Sequence, residues 1–494
     1  MTVTSTTGVD GRPWTLHPDR ALPAQPEVRA VARTILDATA PLPIVSMHGH
    51  VDAGMLAADA PFRDPAHLLV TPDHYLVRML VSQATAPGAV RDAGVRSVAD
   101  LGVGADGETD PRTVWRRFCA GWSTLRGTPT RFWLEHVLAE VFEAPAAPSP
   151  ETADALYDHI ADRLAQPEYR PRALFDRFNI EVLATTDAAV SPLDAHARLA
   201  ADGWGRRVIP TFRPDTLLEP AREDWRGQLD ELSAVSGIDA HSYDGYLEAL
   251  RERRRAFVRA GARASDHGHL SPDTTPLPSD DARRVFDAAR AGAATPAASA
   301  AFTAHMLFQM AEMASVDGLV MQLHPGVVRD HDRGIAARHG HDIGYDVPVA
   351  AEFTRSLRPV LEAFGHHPDF RMIVFTVDET VYSRELAPLA GVYPALRLGA
   401  PWWFLDTPDA IRRFREATTD TAGLRNTSGF VDDTRAFCSI PARHDLSRRA
   451  DAGFLARLVA EHRLDLDEAV DAAVDLAYRI PQDSYPRPAA AVMA

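Results

Sequence analysis

Residues 43–50 read Pro43-Ile44-Val45-Ser46-Met47-His48-Gly49-His50, an apolar run that ends in two histidines spaced two apart. We interpret this run as a β-strand. Side chains two apart on a strand point to the same side, with their Cα atoms roughly 7 Å apart, so the two imidazoles can converge on one metal ion. The chain holds 20 histidines, so the same spacing also arises by chance, and the rest of the sequence must decide.

Seven further short apolar runs follow, and many of them end in polar or ionisable residues. They are residues 180–187, 207–215, 262–267, 318–324, 372–378, 395–400 and 429–435. Stretches with apolar residues at helical spacing separate them, for example residues 351–364 and 454–462. Eight strands that alternate with helices predict parallel βα units closed into a (β/α)8 barrel. The carboxyl ends of barrel strands surround one site, so the polar residues there are expected to be neighbours.

The barrel is expected to span the whole chain, residues 1–494, as a single domain. Residues 51–179 separate the first two strands, which is too long for one crossover helix. We therefore predict a helical insertion over residues 55–165 that covers the barrel mouth. The charged run at residues 251–255, Arg-Glu-Arg-Arg-Arg, is predicted to lie on a solvated helix face.

Composition narrows the classes of partner. With 46% hydrophobic and 24% charged residues, the chain reads as an ordinary globular protein, and its net charge of -16 argues against nucleic acid or an anionic membrane as partner. No run of about 18 apolar residues occurs, so no spanning helix is expected. Cys119 and Cys438 are the only cysteines, and residues 1–10 lack a signal-peptide pattern, which together predict a cytoplasmic protein.

Nine short motifs occur along the chain in one order. They are HGH (48–50), PDHYLVR (72–78), TTD (185–187), TFRPD (211–215), ASDHG (264–268), MQLHPGVVR (321–329), GHDIGYD (340–346), APWWF (400–404) and DDTR (432–435). In this order, between about Pro43 and Arg449, the chain resembles the uronate isomerase family, the glucuronate isomerase branch of the amidohydrolase superfamily. The resemblance implies a metal-dependent (β/α)8 TIM barrel of the amidohydrolase type. It also implies interconversion of an aldose uronate, D-glucuronate or D-galacturonate, and its ketose, D-fructuronate or D-tagaturonate.

The same resemblance implies His48, His50 and Asp433 as ligands of a divalent metal ion. Imidazole nitrogens and a carboxylate bind such an ion at about 2.0–2.2 Å and leave positions open for substrate oxygens. Zinc is the first expectation, with manganese, cobalt or iron as alternatives. In a regular strand Asp432 points to the face opposite Asp433. The choice of Asp433 as the ligand rests on the family match alone. Asp432 is interpreted as a carboxylate that packs in the core or supports the ligands.

His267 and His324 end two other strands of the predicted barrel. Three roles are open to each of them. It could bind the metal, it could contact the substrate or a residue that does so, or it could be a core histidine whose ring nitrogens are hydrogen-bonded within the protein. We expect both to contact the substrate at the barrel mouth.

A uronate carries a carboxylate, which calls for guanidinium groups able to bind two oxygens at once. Arg435 and Arg213 are the predicted residues, because Arg435 shares a strand face with Asp433 and Arg213 ends the TFRPD strand. Trp402 is expected to line the wall of the cavity.

Aldose–ketose isomerisation moves a proton from C2 to C1 of the substrate. We predict Asp433 as the base, Tyr75 as the group that handles the hydroxyl proton, and His74 as a further residue beside the substrate. The family pattern supplies Tyr75 and His74, whereas composition alone favours Tyr75 as a buried aromatic. A metal-assisted hydride shift is the competing route.

Two departures from the family pattern keep other functions open. The family usually carries Asp at the position of Ser46, and an Asn-Pro pair where this chain reads Thr376-Val377-Asp378. The alternatives are a divergent isomerase, epimerase or lyase acting on another sugar acid, and a metal-dependent hydrolase of the amidohydrolase type. In every case the expected partner is a small-molecule substrate, and the protein is expected to be a homo-oligomer.

Overall fold

The computed structural model describes residues 14–488, so the amino-terminal segment 1–10, read above for a signal peptide, lies outside the described residues. Within the described range the strands are β1 (Ile44–Ser46), β2 (Ile180–Ala184), β3 (Asp187–Ala188), β4 (Val208–Ile209), β5 (Phe212–Arg213), β6 (Ala264–His267), β7 (Val320–Leu323), β8 (Val327–Val328), β9 (Val347–Pro348), β10 (Met372–Val374) and β11 (Leu396–Leu398).

The helices of the same range are α1 (Pro26–Thr39), α2 (Ala53–Ala58), α3 (Pro65–Leu69), α4 (His74–Val81), α5 (Ala89–Asp92), α6 (Pro111–Gly121), α7 (Pro129–His136), α8 (Ala153–Leu164), α9 (Pro171–Arg177), α10 (Asp194–Ala201), α11 (Asp215–Leu218), α12 (Trp225–Ser236), α13 (Tyr243–Arg259), α14 (Ser279–Arg290), α15 (Pro296–Asp317), α16 (Arg333–His339), α17 (Arg358–Phe364), α18 (Ala387–Val392), α19 (Pro408–Ala422), α20 (Ile440–Ala460), α21 (Leu466–Val474) and α22 (Ile480–Ser484). As far as residues 14–488 go, none of them is long and apolar enough to cross a membrane.

The strands follow one another around a barrel. One sheet has the order β1-β2-β4 and another the order β11-β10-β7-β6-β5-β3, with parallel pairing throughout. β2 and β3 are two parts of one barrel strand, and so are β4 and β5. Backbone hydrogen bonds bridge both gaps, from Thr185 N to Ile209 O at 2.9 Å and from Asp187 N to Thr211 O at 3.0 Å. Parallel strands with intervening helices confirm the predicted (β/α)8 fold.

The prediction of a regular eighth strand over residues 429–435 is wrong in detail. This segment contains no regular strand pairing, and the nearest strand-like contact, an isolated parallel bridge between Thr427 and Leu398, lies just before it. It still closes the ring, because Asp433 N donates to His48 O at 3.2 Å and His50 N donates to Thr434 O at 3.0 Å. The first and the last segments of the barrel ring, which carry the predicted metal ligands, are therefore hydrogen-bonded directly to each other.

Two helix predictions also need correction. The helix predicted from residue 351 begins only at Arg358, where Pro359 occupies the first turn and fixes its backbone for a helix. The charged run 251–255 is not wholly solvated. Arg253 and Arg254 are buried, and Arg254 forms a two-pronged ion pair with Asp317 at 2.5 and 2.9 Å. Helix α13 thus packs two of its arginines against the protein.

Helices α2 to α9 fill the long interval between β1 and β2. Their buried apolar side chains, among them Trp115 and Leu134, belong to one cluster that also contains Ile44 of β1 and Ile180 of β2. The interval is therefore largely helical, and it shares a core with the barrel. Its helix α4 is the part that reaches the carboxyl ends of the strands.

The interior of the barrel is packed with side chains. Val45, Val182, Ala264, Val320 and Ile373 of five strands form one buried cluster together with Tyr485. Near the amino-terminal ends of the strands, the Tyr485 hydroxyl donates a hydrogen bond to Gln322 Oε1 at 2.9 Å. A filled interior leaves the two ends of the barrel as separate surfaces.

Candidate active site

Three predicted metal ligands meet at the carboxyl end of the barrel. The Nε2 atoms of His48 and His50 lie 3.3 and 2.9 Å from the same oxygen, Oδ1 of Asp433. His48 and Asp433 are buried, whereas the His50 side chain is 31% exposed and faces the cavity described below. Asp433 adopts a left-handed backbone conformation with φ 41°, which is uncommon for a residue other than glycine and recurs at functional sites.

His324 is the fourth side chain at this point. Its ring stacks on His48 with centroids 4.5 Å apart and on Phe375 at 4.1 Å. Its Nδ1 atom lies 2.7 Å from Asp266 Oδ1, a contact that orients the ring and directs Nε2 toward His48 and Asp433. His48, His324 and Asp433 each offer one ligand atom, and these atoms all lie within 4.8 Å of one another.

These side chains fit a divalent metal ion. His324 Nε2 and Asp433 Oδ1 are buried and lack an aligned hydrogen bond among the described residues. A buried polar atom without a partner costs roughly 1–3 kcal/mol, so such atoms call for a ligand. Imidazole nitrogens combined with one carboxylate oxygen are a donor set suited to zinc and to neighbouring transition metals.

The electrostatics of the cluster favour an ionised carboxylate. Burial works to raise the pKa of Asp433, but the adjacent His48 and His50 outweigh it and hold that pKa well below its usual range. Burial, together with the neighbouring His48, lowers the pKa of His324 against the opposing effects of Asp266 and Asp433. A neutral imidazole and an ionised carboxylate are the forms that bind metals.

A cavity of about 420 Å³ opens above the cluster. Its wall includes the predicted residues His50, His74, Tyr75, Arg213, Trp402, Asp433 and Arg435, together with Arg329, Asp342, Trp403 and Arg443. This size falls within the range of small-molecule sites. Several arginines among its walls suit an anionic ligand.

Helix α4 supplies His74 and Tyr75 to this wall. Asp73 caps the helix by accepting a hydrogen bond from Leu76 N at 3.1 Å, which fixes its first turn at the cavity. The rings of His74 and Tyr75 stack with centroids 4.6 Å apart. Burial raises the pKa of Tyr75, so its hydroxyl stays protonated, and burial together with the nearby Arg435 lowers the pKa of His74 to about 3.

The two predicted arginines line the cavity and differ in their partners. Arg213 Nε donates to Asp215 Oδ2 at 2.8 Å, and its Nη1 lies 3.3 Å from Asp266 Oδ2. Arg435 has one acidic partner, Asp342, to which its Nη2 donates. Arg435 therefore has less of its charge neutralised by the protein than Arg213.

His267 does not reach this cavity. Along β6, Ala264 belongs to the interior cluster and Asp266 contacts His324, so residues 264 and 266 point inward. His267 points the other way, as the two-residue period requires, with its Nε2 atom 3.2 Å from Ser265 Oγ. The inward residue at this strand end is Asp266, which sequence reasoning missed by one position.

Three further cavity residues were not assigned from the sequence. Asp342 and Arg329 stand inside the motifs GHDIGYD and MQLHPGVVR, so a signal for them was present. Arg443 lies in no motif and is buried, with Nη1 2.7 Å from Asp406 Oδ2 and its guanidinium 3.6 Å from the centre of the Trp133 ring. Only the folded structure brings it beneath Tyr75.

The two departures noted in the sequence lie at different distances from this site. Ser46 is buried in β1, and its Oγ has no hydrogen-bond partner among residues 14–488. Asp378 caps a short helical turn after β10 by accepting from Thr380 N at 2.9 Å. Neither residue belongs to the cavity wall.

Comparisons with known proteins point in one direction. A sequence model of the glucuronate isomerase family matches residues 28–485. The uronate isomerase of Rhizorhabdus wittichii is 52% identical over 473 residues, which cover 96% of this chain and 99% of that protein. The uronate isomerase of Xanthomonas campestris pv. campestris is 49% identical over 477 residues, with coverages of 96% and 99%.

Solved structures agree with these relatives. The glucuronate isomerase of Caulobacter crescentus superimposes with a TM-score of 0.92 at 47% identity, covering 96% of this chain and 97% of the other. The uronate isomerase of Thermotoga maritima gives a TM-score of 0.87 at 26% identity, with coverages of 96% and 100%.

Proposed function

The chain belongs to the glucuronate isomerase family, and we propose that its cavity interconverts D-glucuronate or D-galacturonate and the corresponding ketose, D-fructuronate or D-tagaturonate. The family makes it an aldose–ketose isomerase acting on a uronate. The observation that carries the proposal is that His50 and Asp433, two members of the His48–His50–Asp433 donor cluster, share one cavity wall with Arg435.

The proposed metal site consists of His48, His50 and Asp433, with His324 as a neighbouring donor. Zinc is the first choice, and manganese, cobalt or iron would suit the same donor atoms. When bound, such an ion acts as a Lewis acid on the carbonyl and hydroxyl oxygens of the substrate. Support comes from the convergence of the ligand atoms of His48, His324 and Asp433, and from the position of His50 Nε2 at 2.9 Å from Asp433 Oδ1. His324 Nε2 and Asp433 Oδ1 also lack an aligned hydrogen bond among the described residues.

The carboxylate of the uronate is proposed to bind Arg435. A guanidinium presents two parallel N–H groups to two carboxylate oxygens. Arg213 is bonded to two carboxylates, Asp215 and Asp266, and is better suited to holding its own position in the wall. Trp402, whose ring meets His324 edge-on with centroids 4.7 Å apart, closes the wall between the metal donors and the rim.

Proton transfer is assigned to three side chains. An oxygen of Asp433 accepts the proton from C2 and returns it to C1, and the position of this ionised carboxylate in the cavity wall supports the role. The Tyr75 hydroxyl remains protonated and donates to a substrate oxygen. His74 is neutral and has no hydrogen-bond partner for either ring nitrogen among the described residues, so it can exchange a hydroxyl proton with Tyr75 or the substrate.

The deciding experiment is an NMR assay in D₂O with metal-loaded protein and D-glucuronate or D-galacturonate. Ketose signals with deuterium at C1 would support isomerisation by proton transfer. Ketose formed with complete transfer of a C2 label to C1, and no solvent deuterium, would favour the hydride shift or a shielded base. Protein stripped with a chelator and then reloaded is the control, and absence of ketose from both uronates would refute the function.

The proposal also covers the cellular location and the oligomeric state of the protein. A cytoplasmic location is supported by Cys119 and Cys438, which are both buried and unpaired, as a reducing compartment allows. A homo-oligomer is also proposed, and light scattering of the purified protein measures it. A mass equal to one chain of 53.9 kDa would contradict that part.

A further inference from the structure

A second cavity, of about 840 Å³, lies at the opposite end of the barrel from the metal donors. Its wall includes residues that come directly before strands, such as Arg263 before β6, Arg371 before β10 and Ala395 before β11. Tyr485, which belongs to the buried interior cluster of the barrel, also forms part of the wall. The packed interior separates this cavity, here called the lower cavity, from the candidate active site.

Positive charge is concentrated in the lower cavity. Five arginines line it, namely Arg263, Arg371, Arg397, Arg425 and Arg487, with His366 and His367 beside them. Only two carboxylates face them, those of Glu181 and Asp483. This excess of cations contrasts with the net charge of -16 for the whole chain.

Most of these arginines have no acidic partner. Arg425 pairs with Asp475 at 2.6 Å, but no carboxylate oxygen of the described residues lies within 4.0 Å of a guanidinium nitrogen of the other four. Both oxygens of Glu181 are taken, by the Tyr478 hydroxyl at 2.7 Å and by Gln482 Nε2 at 2.8 Å. Arg371 and Arg397 donate to backbone carbonyl oxygens instead, and the protein therefore compensates only part of this cluster of charge.

The arrangement is electrostatically unfavourable without an anion. Arg263 and Arg397 are partly buried, and burial, reinforced by Arg487 and Arg371 respectively, lowers the pKa of each. Like charges that are partly removed from water repel more strongly than exposed ones. A ligand with two or more negative charges would relieve this repulsion.

We propose that the lower cavity is a binding site for a small polyanion that carries phosphate or carboxylate groups. Guanidinium forks bind the oxygens of both groups in pairs, and the volume of the cavity is that of a small-molecule site. The site is distinct from the uronate cavity. Its ligand binds the folded chain and therefore stabilises it, by an amount that grows with the logarithm of the ligand concentration above Kd.

Calorimetric titration of the metal-loaded protein tests the site, with inorganic phosphate and tricarballylate as probes at constant ionic strength. Binding of phosphate alone would identify a phosphate ligand, and binding of tricarballylate alone a carboxylate ligand. The double variant Arg263→Gln/Arg397→Gln should weaken binding tenfold or more, because it removes the two partly buried forks. If the double variant does not fold, the two single variants replace it.

Two controls locate the binding. Arg413→Gln removes an exposed arginine of α19, paired with Glu379, and should leave the affinity unchanged. Arg435→Gln changes the uronate cavity and should also leave it unchanged. The proposal is overturned if neither probe binds at millimolar concentration, if the lower-cavity variants bind like the unmodified protein, or if only Arg435→Gln loses binding.

Discussion

At the scale of single residues, the donor cluster depends on one carboxylate oxygen shared by two imidazoles. Asp433 Oδ1 lies within 3.3 Å of both His48 Nε2 and His50 Nε2, although Asp433 is far from the two histidines in sequence. The left-handed backbone of Asp433 turns its side chain toward β1 while Asp433 N stays bonded to His48 O. Because the three donor atoms meet at one point, we expect metal binding to need each of them.

His50→Ala should therefore lose the metal. Even groups that only support a ligand change metal affinity by about 10–100-fold when removed, so loss of a ligand should exceed that effect. Elemental analysis after dialysis measures the metal content of the variant. His341→Ala is the matched control, because His341 is 83% exposed at the rim of the same cavity. Normal metal content in His50→Ala would remove His50 from the ligands.

Arg435→Lys should raise KM for the uronate by tenfold or more, on the order of 1.4 kcal/mol, because lysine keeps the charge but loses the planar fork. Metal content should stay the same, since Arg435 is not a donor. Steady-state kinetics and elemental analysis measure the two quantities. An unchanged KM would transfer the carboxylate-binding role to Arg213.

Gly268→Ala should impair the enzyme by displacing Arg213. A Cβ atom at residue 268 would lie 2.6 Å from Arg213 Nη2, closer than such contacts allow, so the guanidinium would have to shift from the position in which Asp215 and Asp266 hold it. We expect a loss of about tenfold or more in kcat/KM, equal to about 1.4 kcal/mol. Gly227→Ala, on α12 with open space around it, should have no such effect. Equal kinetics for both variants would contradict the packing argument.

Sequence reasoning found the histidine pair of β1 because its spacing and its strand position are both local properties. It chose His267 because this residue ends the predicted strand, whereas the strand period turns Asp266 inward. A one-residue error in register exchanges the two faces of a strand. Arg443 could not be found at all, since its position under Tyr75 depends on how α20 packs against the insertion.

At the scale of elements, the order and direction of the strands were predictable, while the form of the last one was not. Alternation of apolar runs with helices sets the barrel, and this alternation is visible in the sequence. The closing segment is held by separate contacts, Thr427 with Leu398 and Asp433 with His48, and by the positive φ of Asp433. An apolar run of strand length carries no sign of such irregularity.

Helix α13 gives a prediction at the same scale. Arg254 and Asp317 form a buried ion pair that joins α13 to the end of α15. Removing one partner, as in Arg254→Met, leaves an uncompensated buried charge and should cost about 3–5 kcal/mol of unfolding free energy. Denaturant unfolding followed by circular dichroism measures the loss. The double variant Arg254→Met/Asp317→Leu should recover much of it, and no recovery would argue against charge as the cause.

At the scale of the whole molecule, the long insertion is tied to both ends of the described chain. Asp445 of α20 accepts a hydrogen bond from Arg20 at 2.8 Å and two from Arg449 at 2.9 Å, and it lies 3.7 Å from His136 at the end of α7. One carboxylate thus links the amino-terminal segment, the insertion and the carboxyl-terminal helices. The length and composition of the chain do not by themselves fix the number of domains. Contacts of this type join the amino-terminal segment, the insertion and the carboxyl-terminal helices to one another.

The same carboxylate predicts how stability depends on pH. Burial works to raise the pKa of Asp445, but His136, Arg449 and Arg20 outweigh it and lower that pKa in the folded state. A lowered folded-state pKa stabilises the fold above the unfolded value of about 3.9, and this contribution is lost as the pH falls toward the folded value. Asp445→Asn should therefore lower the unfolding free energy by about 1–3 kcal/mol at pH 7.

The two unfolding curves should approach each other as the pH drops below the unfolded pKa, because the unmodified protein then loses what the variant already lacks. Thermal unfolding across a series of acidic buffers measures the difference. Asp467→Asn, at an exposed residue without an ion pair in the part of the chain that the structure describes, should follow the unmodified protein at every pH. Parallel curves for Asp445→Asn and the unmodified protein down to the acid limit would show that the linkage does not arise from this carboxylate.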